Sequence, residues 1–109
     1  MRHGVFVALG SDILPIGPMV GLYAAVTRRA MSGDVVGPDE ALTMPEAIAG
    51  YTRLAAHLTF EEEAKGSLEV GKLADMVVLS QDLLTIDPVR TMDTEVEITI
   101  LGGRVVYEH

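Results

Sequence analysis

The chain has 109 residues, and 8 Lys+Arg against 16 Asp+Glu give it a formal net charge of −8. This length fits one ordinary domain but excludes a complete (β/α)₈ barrel, which needs roughly 200–250 residues. Because cysteine is absent, a disulfide scaffold, a Cys-ligated zinc module and a thiol nucleophile are excluded. The acidic balance predicts that the chain binds neither nucleic acid nor an anionic membrane surface.

The N-terminal apolar run, residues 5–9, is also too short for a targeting or membrane segment. A signal-peptide core needs ~7–15 apolar residues and a membrane span needs ~20. The expected location is therefore the cytoplasm.

The same run, bounded by Gly4 and Gly10, predicts a strand buried on both faces, as in a parallel sheet. Asp12 follows its C-terminal end, where α/β folds place catalytic side chains. Since a lone parallel strand has no partners, we expect the chain to be a piece of a larger architecture.

Two helices are predicted next. Apolar spacing indicates a helix over residues 19–31, with Arg28 and Arg29 in its last turn. A second helix is expected over residues 44–58, opened by a capping box in which Thr43 and Glu46 bond reciprocally.

After residue 65 the apolar period changes to two. Residues 76–80 predict a compact strand, and residues 95–100 alternate between polar and apolar. Gly102 and Gly103 then predict a two-residue hairpin turn into a last strand, because such turns need positive φ at both positions.

Residues 65–79, Lys-Gly-Ser-Leu-Glu-Val-Gly-Lys-Leu-Ala-Asp-Met-Val-Val-Leu, closely resemble the C-terminal signature of the metal-dependent amidohydrolase superfamily. Residues 94–107 are similar to the family's terminal hairpin, and residues 8–12, Ala-Leu-Gly-Ser-Asp, resemble the end of its eighth barrel strand. The resemblance covers nearly the whole chain. It is strongest to the amidohydrolase-3 branch, which includes exoenzyme-regulatory proteins.

This resemblance implies an α/β fragment made of two parts. Residues 1–64 would form the end of a (β/α)₈ metal-dependent hydrolase barrel, with its last strand and following helices. Residues 65–109 would belong to a small antiparallel β-sandwich element.

The resemblance also implies hydrolysis of C–N bonds in non-peptide or cyclic amides, with a divalent metal, expected to be zinc. Asp12 matches the family's last metal ligand, which passes a proton from water to the leaving group. The family's His-x-His, bridging carboxylate or carbamylated lysine, and two further histidines have no counterpart here. The isolated chain is therefore expected to bind no metal and to be inactive.

Other interpretations of these residues stay open. Asp12 also suits an ordinary turn. His3, His57 and His109 are expected at chain ends or on a helix surface, and Asp75 is expected to bond turn amides rather than to catalyse.

The second function hypothesis is a stand-alone, non-catalytic interaction or structural module. Apolar faces without a barrel to cover them would then be buried by self-association. The expected partners are a second copy of the chain or the missing barrel portion, and a small amide substrate for the complete enzyme.

Overall fold

A computed structural model describes residues 4–12 and 17–109. In these ranges the α-helices are α1 (Pro18–Thr27), α2 (Met44–Tyr51) and α3 (Arg53–Leu58), and the strands are β1 (Met76–Leu79), β2 (Val96–Leu101) and β3 (Arg104–Glu108). Short 3₁₀ helices span Pro38–Glu40 and Pro88–Asp93. No helix in the described ranges is long and apolar enough to cross a membrane.

The three strands form one antiparallel sheet in the order β1-β2-β3. The predicted hairpin joins β2 to β3, with Gly102 at φ 56° and Gly103 at φ 79°. Both glycines are needed there because side chains disfavour this left-handed region. The sequence prediction of three short strands, the last two joined by a glycine turn, is confirmed.

A β-bulge interrupts the β2–β3 pairing. Thr99 lies opposite Tyr107, but the next β2 residue, Ile100, lies opposite Val105. Val106 is therefore an extra residue in β3, and such an insertion bends the strand and increases its twist.

The core is small and lies among the helices, away from most of the sheet. Its buried members are Leu22 of α1, Met44 and Ala47 of α2, and Leu83. All five β3 residues are exposed, whereas Leu22 is 4% exposed. The helices and the chain between β1 and β2 thus form the packed body of the described structure.

The predicted N-terminal strand is not formed. Residues 5–9 pair with no strand in the described ranges, and Val5 and Phe6 are 62% and 72% exposed. A parallel strand is stable only between neighbouring strands, and the described part of the chain supplies none. The prediction of burial on both faces was therefore wrong for this chain alone.

The first helix is shorter than predicted. It ends at Thr27, and Arg28 follows in the left-handed conformation at φ 56°, so the two arginines lie beyond the last turn. The Arg28 guanidinium donates to the carbonyl oxygen of Val36 at 2.9 Å and lies 3.7 Å from the Glu40 carboxylate. These contacts fold the following loop back against the helix end.

The predicted second helix begins as expected but divides in two. Thr43 accepts from the Glu46 amide, and the Glu46 carboxylate accepts from the Thr43 amide at 2.9 Å, which confirms the capping box. The break falls at Thr52, whose φ and ψ are −119° and −98°. Its hydroxyl donates to the Ile48 carbonyl at 2.8 Å, a back-bond that bends helices.

Candidate functional site

Asp12 ends the first described segment. It is exposed and has φ 48°, in the left-handed region that few non-glycine residues adopt. Asp is among the residues that tolerate this conformation because its short polar side chain can bond locally. The backbone therefore has an uncommon conformation at Asp12, the candidate site residue.

The segment before Asp12 is held by α2. The Leu9 amide donates to the Gly50 carbonyl at 3.0 Å, and Leu9 packs against the core. A Cβ added at buried Gly50 would lie 2.9 Å from the Leu9 Cγ and 3.4 Å from the Val7 carbonyl oxygen. Glycine at position 50 thus permits the close approach that fixes the segment three residues before Asp12.

His57 and His109, the two histidines that the structure describes, form no metal-ligand group with Asp12. His57 on α3 lies 3.0 Å through Nδ1 from the Glu62 carboxylate, and its ring centroid is 5.6 Å from that of Phe6. The backbone amide of Glu62 donates a hydrogen bond to the Glu62 carboxylate and lowers its pKa. The hydrogen bond from His57 lowers this pKa further. His109 lies 3.8 Å from the Glu95 carboxylate at the sheet, and His3 is outside the described residues.

No metal-ligand cluster is present in residues 4–12 and 17–109. No three His, Cys, Asp or Glu side chains come close enough together there to hold an ion. Catalytic zinc generally needs three protein ligands and a water. The described residues therefore do not form a complete metal centre, because Asp12 supplies only one carboxylate ligand.

Asp75 bonds to a turn amide, as predicted from the sequence. Its Oδ1 accepts a hydrogen bond from the Gly102 amide at 2.7 Å. This bond connects the residue before β1 to the turn between β2 and β3, so the Asp75 carboxylate stabilises the sheet.

Sequence patterns did not predict an open cleft of about 700 Å³ beside α3. Its lining includes Ala55, Ala56, Leu68 and Met76.

A sequence profile of the amidohydrolase family matches residues 1–107. The chain belongs to the amidohydrolase family. The protein YtcJ of Bacillus subtilis (strain 168), whose name assigns it to the amidohydrolases, is 36% identical over 99% of this chain and 21% of its own length. The N-substituted formamide deformylase of Arthrobacter pascens is 36% identical over 96% of this chain and 20% of its own.

The fold recurs in a solved amidohydrolase. The crystal structure of an amidohydrolase from Thermotoga maritima MSB8 matches with a TM-score of 0.66 at 24% identity, over 99% of this chain and 24% of that one. The chain spans about a fifth of the length of these two relatives.

One polar cluster lies within the amidohydrolase signature. The Lys72 ammonium donates to the Ser67 hydroxyl at 2.8 Å and pairs with the Glu69 carboxylate at 2.9 Å. The Ser67 hydroxyl also donates to the Glu69 carboxylate. This hydrogen bond makes the largest contribution to lowering the pKa of Glu69, and the bond from Lys72 makes the next largest. An ammonium engaged as a donor to both groups cannot accept the serine proton, so the cluster fastens the loop.

Proposed function

We propose that this chain is the C-terminal part of a metal-dependent amidohydrolase that hydrolyses C–N bonds in non-peptide or cyclic amides. Residues 1–64 would close the (β/α)₈ barrel, and residues 65–109 would belong to its β-sandwich. Family membership supports this proposal. The small fraction of its relatives' length that the chain covers also supports it. A relative named for N-substituted formamides, which contain a non-peptide amide bond, supports the substrate class.

The observation that carries the proposal is the unpaired segment that leads to Asp12. Its apolar residues include the exposed Val5 and Phe6, and the Leu9 amide bonds to the carbonyl of Gly50 on α2. A strand of a closed barrel has a neighbour on each side and a helix against its outer face. The segment has the helix contact, and strands of the parent enzyme would supply the neighbours.

Asp12 would act in proton transfer. Its carboxylate would accept a proton from the water that attacks the amide carbonyl and return it to the leaving nitrogen. The divalent metal, which we propose to be zinc, would depend on ligands outside this chain. Activity would therefore require the remaining barrel, and the small amide would bind to the assembled enzyme.

The test starts upstream of codon 1. DNA sequencing there should reveal a continuous reading frame that encodes a His-x-His motif. In the encoded protein, Asp12→Asn should lower kcat by about 10²–10⁴-fold, the range for a positioned acid or base. Asp93→Asn, which alters an exposed carboxylate paired with Arg90, is the matched control. Full turnover by Asp12→Asn would show that the role assigned to Asp12 is wrong.

A further inference from the structure

The segment before Asp12 is attached to α2 through a single residue. Within the described part of the chain, the bond from the Leu9 amide to the Gly50 carbonyl is the one backbone hydrogen bond that residues 5–12 make to another segment. The Leu9 side chain also packs against the core. Phe6 adds a ring contact with His57 but is 72% exposed. The location of this segment therefore depends mainly on how Leu9 meets Gly50.

Gly50 is an unexpected residue for its place in the fold. It is buried in the last turn of α2, and its φ lies outside the left-handed region that favours glycine. Glycine is among the least favourable residues in a helix, because it loses the most conformational freedom on folding. The backbone of α2 thus gives no reason for glycine at position 50, and the reason lies in what approaches it.

The approaching atoms belong to Leu9 and Val7. A Cβ on Gly50 would lie 2.9 Å from the Leu9 Cγ, 3.0 Å from its Cδ1 and 3.4 Å from the Val7 carbonyl oxygen. Carbon atoms pack at about 3.5–4.0 Å, so a methyl group here would require a retreat of roughly 0.6 Å. Rotating the Leu9 side chain away would lose its contact with the core, so the segment itself has to move.

Such a retreat matters at Asp12, which follows Leu9 by three positions. A catalytic group has to be held within about 0.5 Å of its productive position. We propose that Gly50 is a positioning residue: its missing side chain sets the distance between the segment and α2, and thereby the location of the Asp12 carboxylate. This inference rests on the proton-transfer role proposed for Asp12.

Hydrogen exchange of the 109-residue chain tests the contact. NMR gives the protection factor of the amide at position 9, which measures how often the segment leaves α2. Gly50→Ala should lower this factor at least about fivefold, the low end for an overpacked contact. Adding Leu9→Ala should restore it, because that change removes the two carbons that the new methyl group would overlap.

Gly10→Ala is the matched control. It adds the same methyl group to the same segment, at a residue outside the left-handed region whose added Cβ would meet no described atom within 4 Å. An equal loss of protection in Gly10→Ala, an unchanged factor in Gly50→Ala, or no recovery on adding Leu9→Ala would overturn the proposal.

A second comparison applies if circular dichroism shows that Gly50→Ala is unfolded. The methyl group is then added at position 50 in a Leu9→Ala background. There it should raise the protection factor, because it fills space that the leucine side chain has left. A lower factor in that background would overturn the proposal.

Kinetics of the parent enzyme separate this inference from the role of Asp12. Gly50→Ala should lower kcat and kcat/KM alike, by about tenfold or more, because it misplaces a group that acts in the transition state. In an Asp12→Asn background it should have no further effect, since no carboxylate is left to misplace. An equal loss in both backgrounds would overturn this inference alone, whereas full turnover by Asp12→Asn would overturn the proposed function as well.

Discussion

The Gly102 amide donates to the Asp75 carboxylate at 2.7 Å, across 27 positions of sequence. The neighbouring Gly103 amide donates to the Ala74 carbonyl at 3.0 Å. The two bonds hold the β2–β3 turn against the residues that lead into β1.

Asp75→Ala should lower the free energy of unfolding by about 1–2 kcal/mol, because it removes a charge-assisted bond from a partly exposed turn. Urea denaturation monitored by circular dichroism measures the change. Asp39→Ala removes the same charge from an exposed residue of the 3₁₀ helix Pro38–Glu40 and should have little effect. Equal losses for the two variants would contradict a specific role for the Asp75 bond.

The close approach of α1 to α2 requires glycine at position 21. A Cβ there would overlap the Tyr51 hydroxyl and lie 2.7 Å from its Cζ. We expect Gly21→Ala to destabilise the fold by roughly 1–3 kcal/mol, as overpacking does. Adding Tyr51→Phe should recover part of that loss because it removes the overlapping oxygen. A thermal-melt double-mutant cycle measures the recovery, and strictly additive effects would contradict the contact.

Acid should weaken the Ser67–Glu69–Lys72 cluster. Its hydrogen bonds hold the pKa of Glu69 below its usual 4.5, so the unfolded chain takes up this proton first as the pH falls. The stabilisation is therefore fully present above about pH 4.5 and is lost as the pH falls through the lowered folded-state pKa.

Urea midpoints between pH 7 and pH 3 measure this effect. The difference between wild type and Glu69→Gln should shrink as the pH falls. Glu63 is an exposed residue of the Glu-Glu-Glu run at residues 61–63, and Glu63→Gln should show no such trend. A constant difference for Glu69→Gln would rule out a contribution from this carboxylate.

Zinc should not bind stoichiometrically to the chain alone. No three potential ligands converge among the residues that the structure describes, and one exposed carboxylate binds zinc weakly. Equilibrium dialysis followed by atomic absorption should find well under one zinc per chain. One retained zinc that is lost in Asp12→Ala would show a metal site within this chain.

The features predictable from sequence were those set by short-range chemistry. The Thr43 capping box and the Gly102-Gly103 turn each depend on residues within four positions, and both formed as predicted. The break at Thr52 was not predictable because it accompanies a distant contact. A Cβ on Gly66 would lie 2.9 Å from the Arg53 Cα, so the loop around Gly66 packs directly on the junction of α2 and α3.

The candidate site was likewise only partly predictable from the sequence. Asp12 stands out because it follows an apolar run, but that run pairs with no strand in the described chain. The contact of Leu9 with Gly50 was also missed, because a glycine within an amphipathic helix does not reveal what approaches it. The sequence predictions failed where the structure depends on contacts between residues distant in sequence, and they held where local propensity decides it.

Val106 also bears on aggregation. Fibril growth by strand addition needs an edge whose outward amides and carbonyls recur every second residue. The extra residue in β3 interrupts that spacing and twists the edge, although Val105, Val106 and Tyr107 are apolar and exposed. The strand is therefore a poor template for cross-β growth, and concentrated solutions of the chain should resist seeding by its own C-terminal peptide.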